Sequence, residues 1–313
     1  MPQSWNAFSA AVRAHPDWTD GGGVWLDAEP LSRHTTFHIG GPADAFLVPA
    51  SENGLRFALD AARRAGVRAM VIGRGSNLLF DDAGFRGAVI STAGLSTIER
   101  TGGVLTARAG APLTALAGAA QKAGLGGLEF AYGIPGSVGG AVYMNAGAYG
   151  GEIAQCLAES RALDLADGTV RVLDAAAHEF GYRESVYRAH PTWIVLSASF
   201  SLTPGDPETI RAAMEELLRR RAEKQPLEYP SAGSVFKRLP SRYTAQMIDE
   251  AGLKGTRVGG AQVSEKHAGF IVNRGGATAA DVRALIERIR ETLRAHFNVE
   301  IETEIIYVPA EGE

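Results

Sequence analysis

Residues 124–151 read GLGGLEFAYGIPGSVGGAVYMNAGAYGG, with a glycine every few positions. Each glycine gives up much backbone entropy on ordering and packs no side chain, so such a run does not form one long helix or strand. It suits a backbone that approaches something closely or turns repeatedly through positive φ. Successive N–H groups in such turns form concave anion sites, and a diphosphate is a common guest. The competing reading is an ordinary glycine-rich loop in a large sheet protein, and composition alone leaves the two level.

A second glycine turn comes earlier. Gly73, Arg74, Gly75, Ser76 and Asn77 follow an apolar run, 67–72, and precede Leu78-Leu79-Phe80. The Rossmann fingerprint needs a third glycine and a helix here; position 78 is leucine, and 78–80 reads as strand. No Gly-Lys-Ser/Thr follows, so it is not a Walker A loop. The turn is either a phosphate nest between two strands or a plain tight turn, and taken alone the plain turn is favoured.

The remaining elements follow in order. Residues 1–30 read as a loose helix and a connector. Gly40-Gly41-Pro42 reads as a turn into a strand at 45–48. Ser51 caps a helix to about Arg64 with Leu55, Ala58, Leu59 and Ala62 on one face, ended by Gly66. Strand 87–91, a hairpin around Gly102-Gly103 and an alanine-rich helix with Pro112 in its first turn precede the central stretch. A hairpin turns at Asp167-Gly168. Residues 194–202 alternate as a half-buried strand, with Ile194, Leu196, Ala198, Phe200 and Leu202 on one face. Asp206-Pro207 opens a helix to about Lys224. A short helix is expected over 241–251, ended by Gly252. Thr278 caps another through Phe297, with Val282, Leu285, Ile286, Ile289 and Leu293 inward. A final strand over 299–308 sets Glu300, Glu302 and Glu304 on one face.

The 313 residues carry 31 Lys and Arg against 35 Asp and Glu. That mild acidity gives no reason to expect nucleic acid as a partner. One cysteine, Cys156, excludes an intrachain disulfide and a cysteine-based metal cluster. The N-terminus lacks a secretory pattern and no apolar run is long enough to span a bilayer, so a cytoplasmic protein without membrane partner is expected. Metal sites are not expected.

Several residues invite chemistry. Ser234 and Lys237 have the Ser-x-x-Lys spacing of acyl enzymes, but Gly233 before the serine and Val235-Phe236 after it favour strand over helix, and no Lys-Thr-Gly partner exists. A serine hydroxyl can also act as a general acid toward a carbanion-like centre. Arg183 is either a carboxylate clamp or a surface ion pair. Arg219, Arg220 and Arg221 either complement the helix dipole or bind an anion. His267 reads as a packed or surface histidine, His178-Glu179 lacks the second histidine of a zinc peptidase, and Glu304 alone reads as a solvated strand residue.

Together these stretches resemble one family, the UDP-N-acetylenolpyruvoylglucosamine reductases. The matching segments are TTFHIGG (35–41), GRGSN (73–77), GIPGSVGG (133–140), MNAG (144–147), YRES (182–185), AGS with FK (232–237), GGAQVS (259–264) and IETE (301–304). They keep the family's order across about 31–308. The resemblance implies an α+β protein: a two-subdomain FAD-binding fold of the vanillyl-alcohol-oxidase type plus a C-terminal α+β substrate domain. Expected domains are 1–92 and 93–205 for the cofactor, 206–298 for substrate, and 299–313 returning to the active site. It implies non-covalent FAD, NADPH as hydride donor, and a UDP-sugar enolpyruvyl substrate reduced to UDP-N-acetylmuramate for peptidoglycan. NADPH reduces the flavin and leaves, and the substrate then takes hydride at the same site. A monomer is expected.

Carried onto this chain, the catalytic residues are Ser234 as proton donor, with Arg183 and Glu304 stabilising an enolate-like intermediate. The cofactor-binding set is Gly73, Arg74, Gly75, Ser76, Asn77, Leu78, Gly133, Pro135, Gly136, Ser137, Gly139, Gly140, Asn145, Ala146 and Gly147. Tyr182, Arg221, Lys224, Gln225 and Lys237 are substrate contacts. The interval from Arg183 to Ser234 lacks the tyrosine-bearing loop of one branch, which places the chain with the shorter branch. Thr303 stands where the family commonly has proline; Glu304 is chosen over Glu302 because the following residues match. The rivals are another flavoenzyme of this fold, a Ser-Lys acyl enzyme, and a non-catalytic binding module.

Overall fold

The computed structural model describes residues 3–240 and 242–312. Ser241, the expected start of the helix before Gly252, lies outside them. The chain divides into two compact units. The first comprises Met1–Asp27, Ala45–Arg74 and Gly87–Arg219; the second comprises Ala28–Asp44, Gly75–Arg86 and Arg220–Glu313. The division in the long helix falls after Arg219.

The first unit has two hydrophobic cores. In one, strand Ala69–Ile72 runs parallel to Phe85–Ser91, with Ala69 opposite Ala88, at the end of a four-stranded sheet whose other members are Pro42–Val48 and Val24–Pro30. Ser51 caps helix Glu52–Ala65 by accepting from the Gly54 N–H, and Gly66 closes it at φ 64°. Its expected face is buried: Leu55, Ala58, Leu59 and Ala62 pack with Ala45, Leu47, Ala88 and Ile90. Residues 3–30 are more ordered than a loose helix and connector. Helix Gln3–Arg13 sends Trp5, Phe8 and Val12 into this core, and Val24–Pro30 is a strand. Pro42 opens its strand rather than preceding it, a position where its missing N–H costs least.

The second core of this unit backs a five-stranded antiparallel sheet ordered Val170–Asp174, Leu157–Asp164, Trp193–Ser201, Val104–Arg108, Ile98–Thr101. Both predicted hairpins are there, with Gly102 and Gly168 in the left-handed region. Trp193–Ser201 is the central strand, so Val195 and Ser197 are buried as well as Leu196, Ala198 and Phe200. The expected half-buried strand is therefore covered on both faces, which alternation alone does not reveal.

In the second unit, helix Ala279–Phe297 is fixed by a capping box between Thr278 and Asp281 and ends at Asn298 with φ 52°. Val282, Leu285, Ile286, Ile289 and Leu293 are its buried face. They join Phe37, Ile39, Leu79, Val235 and Ile305 in one core. Burying each such side chain is worth roughly 1.5–3 kcal/mol, so this core depends on segments far apart in sequence. The final strand is shorter than expected. Only Ile306–Val308 is regular, lying parallel to Leu78–Phe80. Upstream, Thr303 forms an isolated bridge with Phe236, and the chain bends at Glu304-Ile305.

Candidate active site

In the first unit the central glycine-rich stretch is not one loop. It passes through a 3-10 turn, Glu129–Ala131, and a short helix, Val138–Tyr143, capped by Ser137. The Val138 and Gly139 N–H groups donate to the carbonyls of Ala111 and Ala109 at 2.9 and 2.8 Å, and the Gly140 N–H points to Ser137 Oγ at 3.4 Å. Those three donors serve the fold, which corrects the expectation that all of 133–140 cradles a diphosphate. The N–H groups of Gly136 and Ser137 have no acceptor among the described residues, and two successive donors of this kind suit an anionic oxygen. Gly73 comes to the same place: a Cβ on it would lie 2.0 Å from Ser137 Oγ. Gly73 and the Ser137 loop therefore meet within the first unit, and a side chain at 73 would displace the Ser137 hydroxyl that caps the short helix.

Gly75 belongs to the second unit. It is buried, with φ 61°, and a Cβ would lie 2.2 Å from the His34 carbonyl oxygen. The N–H groups of Gly75 and Ser76, and that of Arg74 before them, donate to no described residue. A buried N–H of this kind is costly unless a guest accepts from it. This donor set fits a diphosphate. Asn77 and Leu78 are committed to the fold: Asn77 Nδ2 donates to the Glu304 carbonyl at 3.1 Å, and Leu78 pairs with Ile306.

Arg183 sits at φ 59° in a turn where Gly181 and Glu184 exchange N–H···O bonds of 3.2 Å. A non-glycine residue in this region is strained and is held by its surroundings. Its guanidinium donates to the Gly147 carbonyl at 3.1 Å and lies 5.0 Å from the Tyr182 ring centroid. Asn145, predicted as a cofactor residue, has its amide spent inside the protein. Nδ2 donates to the Gly181 carbonyl at 2.9 Å, and Oδ1 accepts from the Ala154 N–H at 3.0 Å.

In the second unit Ser234 lies on an extended strip. Ser234 bridges Phe270, the Val235 N–H donates to the Gly269 carbonyl at 2.8 Å, and the Glu304 N–H donates to the Val235 carbonyl at 2.7 Å. The structure thus brings the Ser234 and Glu304 segments together as paired chains. Pairing of Phe236 with Thr303 sets Lys237 beside Glu302, and Lys237 Nζ bonds the Glu302 carboxylate at 2.8 Å. In an extended chain residues i and i+3 face opposite ways, so the Ser-x-x-Lys spacing makes no acyl-enzyme pair here. Glu302 is 77% exposed and Glu304 half-buried. Gln225, after the Arg221 and Lys224 turn of the long helix, has a buried Oε1 with no partner among the described residues. Such an acceptor fits a ligand donor.

Two supporting groups escaped the sequence reading. Thr36 Oγ1 donates to the Ser231 carbonyl at 2.7 Å and Asn273 Nδ2 to the Phe37 carbonyl at 3.1 Å, tying the Ser234 strip to the segment 35–41. In the first unit, His178 is fully buried. Its Nδ1 meets the Asp174 carbonyl at 2.6 Å, Nε2 meets Ser160 Oγ at 2.8 Å, and Ser160 Oγ meets the Tyr187 hydroxyl at 2.6 Å. A carbonyl only accepts, so Nδ1 carries the proton, Ser160 donates to Nε2, and Tyr187 donates to Ser160. Burial holds His178 below its ordinary pKa and pushes Tyr187 up to about 12. No short sequence motif announces this network. Cys156 is buried, and burial pushes its thiol up to about 12, so it is inert at neutral pH. His267 is packed, its Nδ1 accepting from the Gly269 N–H at 3.1 Å.

Residues 43–174 match the family model of an FAD-binding domain. With the unspent N–H donors of the two glycine loops, this makes the chain an FAD-containing oxidoreductase. Residues 225–308 match the C-terminal domain model of UDP-N-acetylenolpyruvoylglucosamine reductase. The reductase of that name from Clostridium botulinum strain Hall is 44% identical over 307 residues, 98% of this chain and 99% of the relative. That of Pediococcus pentosaceus is 46% identical over 280 residues, 90% of this chain and 93% of the relative. The crystal structure of the Thermus caldophilus reductase superposes with TM-score 0.77 at 36% identity, covering 92% of this chain and 99% of that one. The chain belongs to the UDP-N-acetylenolpyruvoylglucosamine reductase family. No helix among the described residues is long and apolar enough to cross a membrane.

Proposed function

We propose that this protein reduces UDP-N-acetylglucosamine enolpyruvate to UDP-N-acetylmuramate with NADPH, in the cytoplasm, as a step of peptidoglycan precursor synthesis. The protein works as a monomer, and its two cofactor subdomains and substrate domain follow the division expected from the sequence. FAD, when bound, supplies the two-electron relay, accepting a hydride from the nicotinamide and passing it to the enolpyruvyl double bond. The N–H groups of Arg74, Gly75, Ser76, Gly136 and Ser137 would hold its diphosphate.

The remaining work belongs to side chains. Hydride addition leaves negative charge spread over the substrate carboxylate and the adjacent carbon. The Arg183 guanidinium stabilises that charge, and Glu304 does so through a shared proton, since a bare carboxylate would repel it. Ser234 then delivers its hydroxyl proton to the carbon, completing addition of one hydride and one proton across the double bond. A serine is a weak acid in water, so this role needs a preorganised site, and the paired strip 234–236 supplies a fixed backbone for it. Tyr182, Arg221, Lys224, Gln225 and Lys237 contact the nucleotide sugar.

The observation that carries this reading is the pairing of Val235 with Glu304 at 2.7 Å, which supports a shared role for the serine and glutamate segments. The test is stopped-flow absorbance of the flavin. NADPH should bleach it under anaerobic conditions, and the enolpyruvyl nucleotide should restore its colour within the turnover time. A protein that takes up no FAD, or reduced flavin indifferent to the enolpyruvyl nucleotide, overturns the proposal. The second outcome would favour another flavoenzyme of this fold.

A further inference from the structure

We infer that Asn145 is a positioning residue for Arg183 rather than a cofactor ligand, an inference that rests on the role proposed for Arg183. Asn145 is 1% exposed and holds φ 42°, a left-handed conformation that asparagine tolerates better than most residues. Its amide is fully directional. Nδ2 donates to the Gly181 carbonyl at 2.9 Å, and Oδ1 accepts from the Ala154 N–H at 3.0 Å. Gly181 closes the turn in which Arg183 is strained at φ 59°. Two further bonds run between the same two segments: Arg183 Nη2 to the Gly147 carbonyl at 3.1 Å, and Ser185 Oγ to the Tyr143 carbonyl at 2.8 Å.

The geometry is a staple. Residues 143–147 leave the short helix and meet the turn 181–185 through three hydrogen bonds, the shared core of which is the Asn145 amide. Without it the Gly181 carbonyl keeps only the 3.2 Å bond from the Glu184 N–H inside the turn, and the strained Arg183 backbone can relax toward ordinary φ. The guanidinium would then swing away from the substrate carboxylate. The amide, already committed at both ends, has little left to offer a cofactor.

Asn145→Asp tests this. It is isosteric and keeps the acceptor for Ala154, but it sets a carboxylate oxygen against the Gly181 carbonyl. In the FAD-loaded enzyme, we expect flavin content and the rate of reduction by NADPH to stay within about twofold, while reoxidation by the enolpyruvyl nucleotide slows by about 10- to 100-fold. In an Arg183→Ala background the same substitution should slow reoxidation little further, because the two residues act as a unit. Should Asn145→Asp fail to fold, Asn145→Gly removes the staple and suits the positive φ.

Loss of FAD with normal reoxidation by the loaded fraction would instead make Asn145 a cofactor ligand. Full additivity with Arg183→Ala would mean that it acts on another group. If Arg183→Ala alone leaves reoxidation unchanged, the role assigned to Arg183 fails first, whatever Asn145 does.

Discussion

The Arg183 turn and the Ser234 strip are held in place by different means. The turn, in the first unit, depends on side-chain bonds made by Asn145, Ser185 and Arg183 itself. The strip, in the second, depends on main-chain pairing of 234–237 with 269–270 and 302–304. A group carried on paired backbone can lose its side chain without losing its place. A group carried on a side-chain scaffold moves when the scaffold is cut. Substitution should therefore separate chemistry from geometry at Ser234 and confound them around Arg183.

The largest effect expected is at Ser234. Ser234→Ala should leave flavin reduction by NADPH intact and slow reoxidation by the enolpyruvyl nucleotide by about 10²- to 10⁴-fold. An unchanged unfolding midpoint alongside that loss would sharpen the contrast, whereas a large drop would break it. Next comes Gly75, which tests a purely backbone constraint. Alanine there must adopt φ 61° with its Cβ 2.2 Å from the His34 carbonyl oxygen, and should cost about 2–4 kcal/mol by urea unfolding. Gly150→Ala, at φ 88° with nothing within 4 Å of the new Cβ, should cost only the left-handed strain, about 1–2 kcal/mol. Equal losses at the two glycines would show that the close approach at 75 is unimportant.

The buried His178 gives the stability of the first unit a pH signature. Burial lowers its pKa below the ordinary 6.5, so below that pH the unfolded chain binds a proton that the folded one resists. Its contribution is fully present above pH 6.5 and is lost as pH falls from there through the lowered folded pKa. Unfolding at pH 7.5 and 5.5 should show a steeper loss in the native protein than in His178→Gln. The smallest effect is at Glu302, whose carboxylate is mostly exposed. Glu302→Gln should change stability by no more than about 0.5 kcal/mol and leave reoxidation unslowed. Slowed reoxidation would move the catalytic role from Glu304 toward its neighbour.

Much of the fold was legible because local signals and tertiary packing agree. Ser51 and Gly66 bound one helix, and Thr278 opens another whose inward face follows the apolar spacing. Where packing overrides local pattern, legibility fails. Trp193–Ser201 alternates like a half-exposed strand, but a neighbour on either side places it centrally. Residues 299–305 alternate as well, yet only Thr303 among them makes a bridge, and the regular ladder starts at Ile306. The glycine runs were rightly singled out, but their reason is mixed. At 139–140 the N–H groups serve the fold, at 73 a Cβ would displace the capping hydroxyl of Ser137, and only some N–H groups remain for a guest. Asn145 and His178 could not be distinguished by spacing, because their partners are carbonyls and hydroxyls distant in sequence.

The division into units has a consequence for how the protein is made. The chain passes between them at 27/28, 44/45, 74/75, 86/87 and 219/220. Asn77 meets the Glu304 carbonyl across 227 positions, and Leu78–Phe80 finds its strand partner only at Ile306–Val308. On the ribosome, the early segments of the second unit must wait for nearly the whole polypeptide to emerge before their core can close. Such long-range closure is slow and exposes apolar surface meanwhile. Chaperone dependence and sensitivity to C-terminal truncation should therefore be properties of the second unit, and no contiguous fragment can stand in for it.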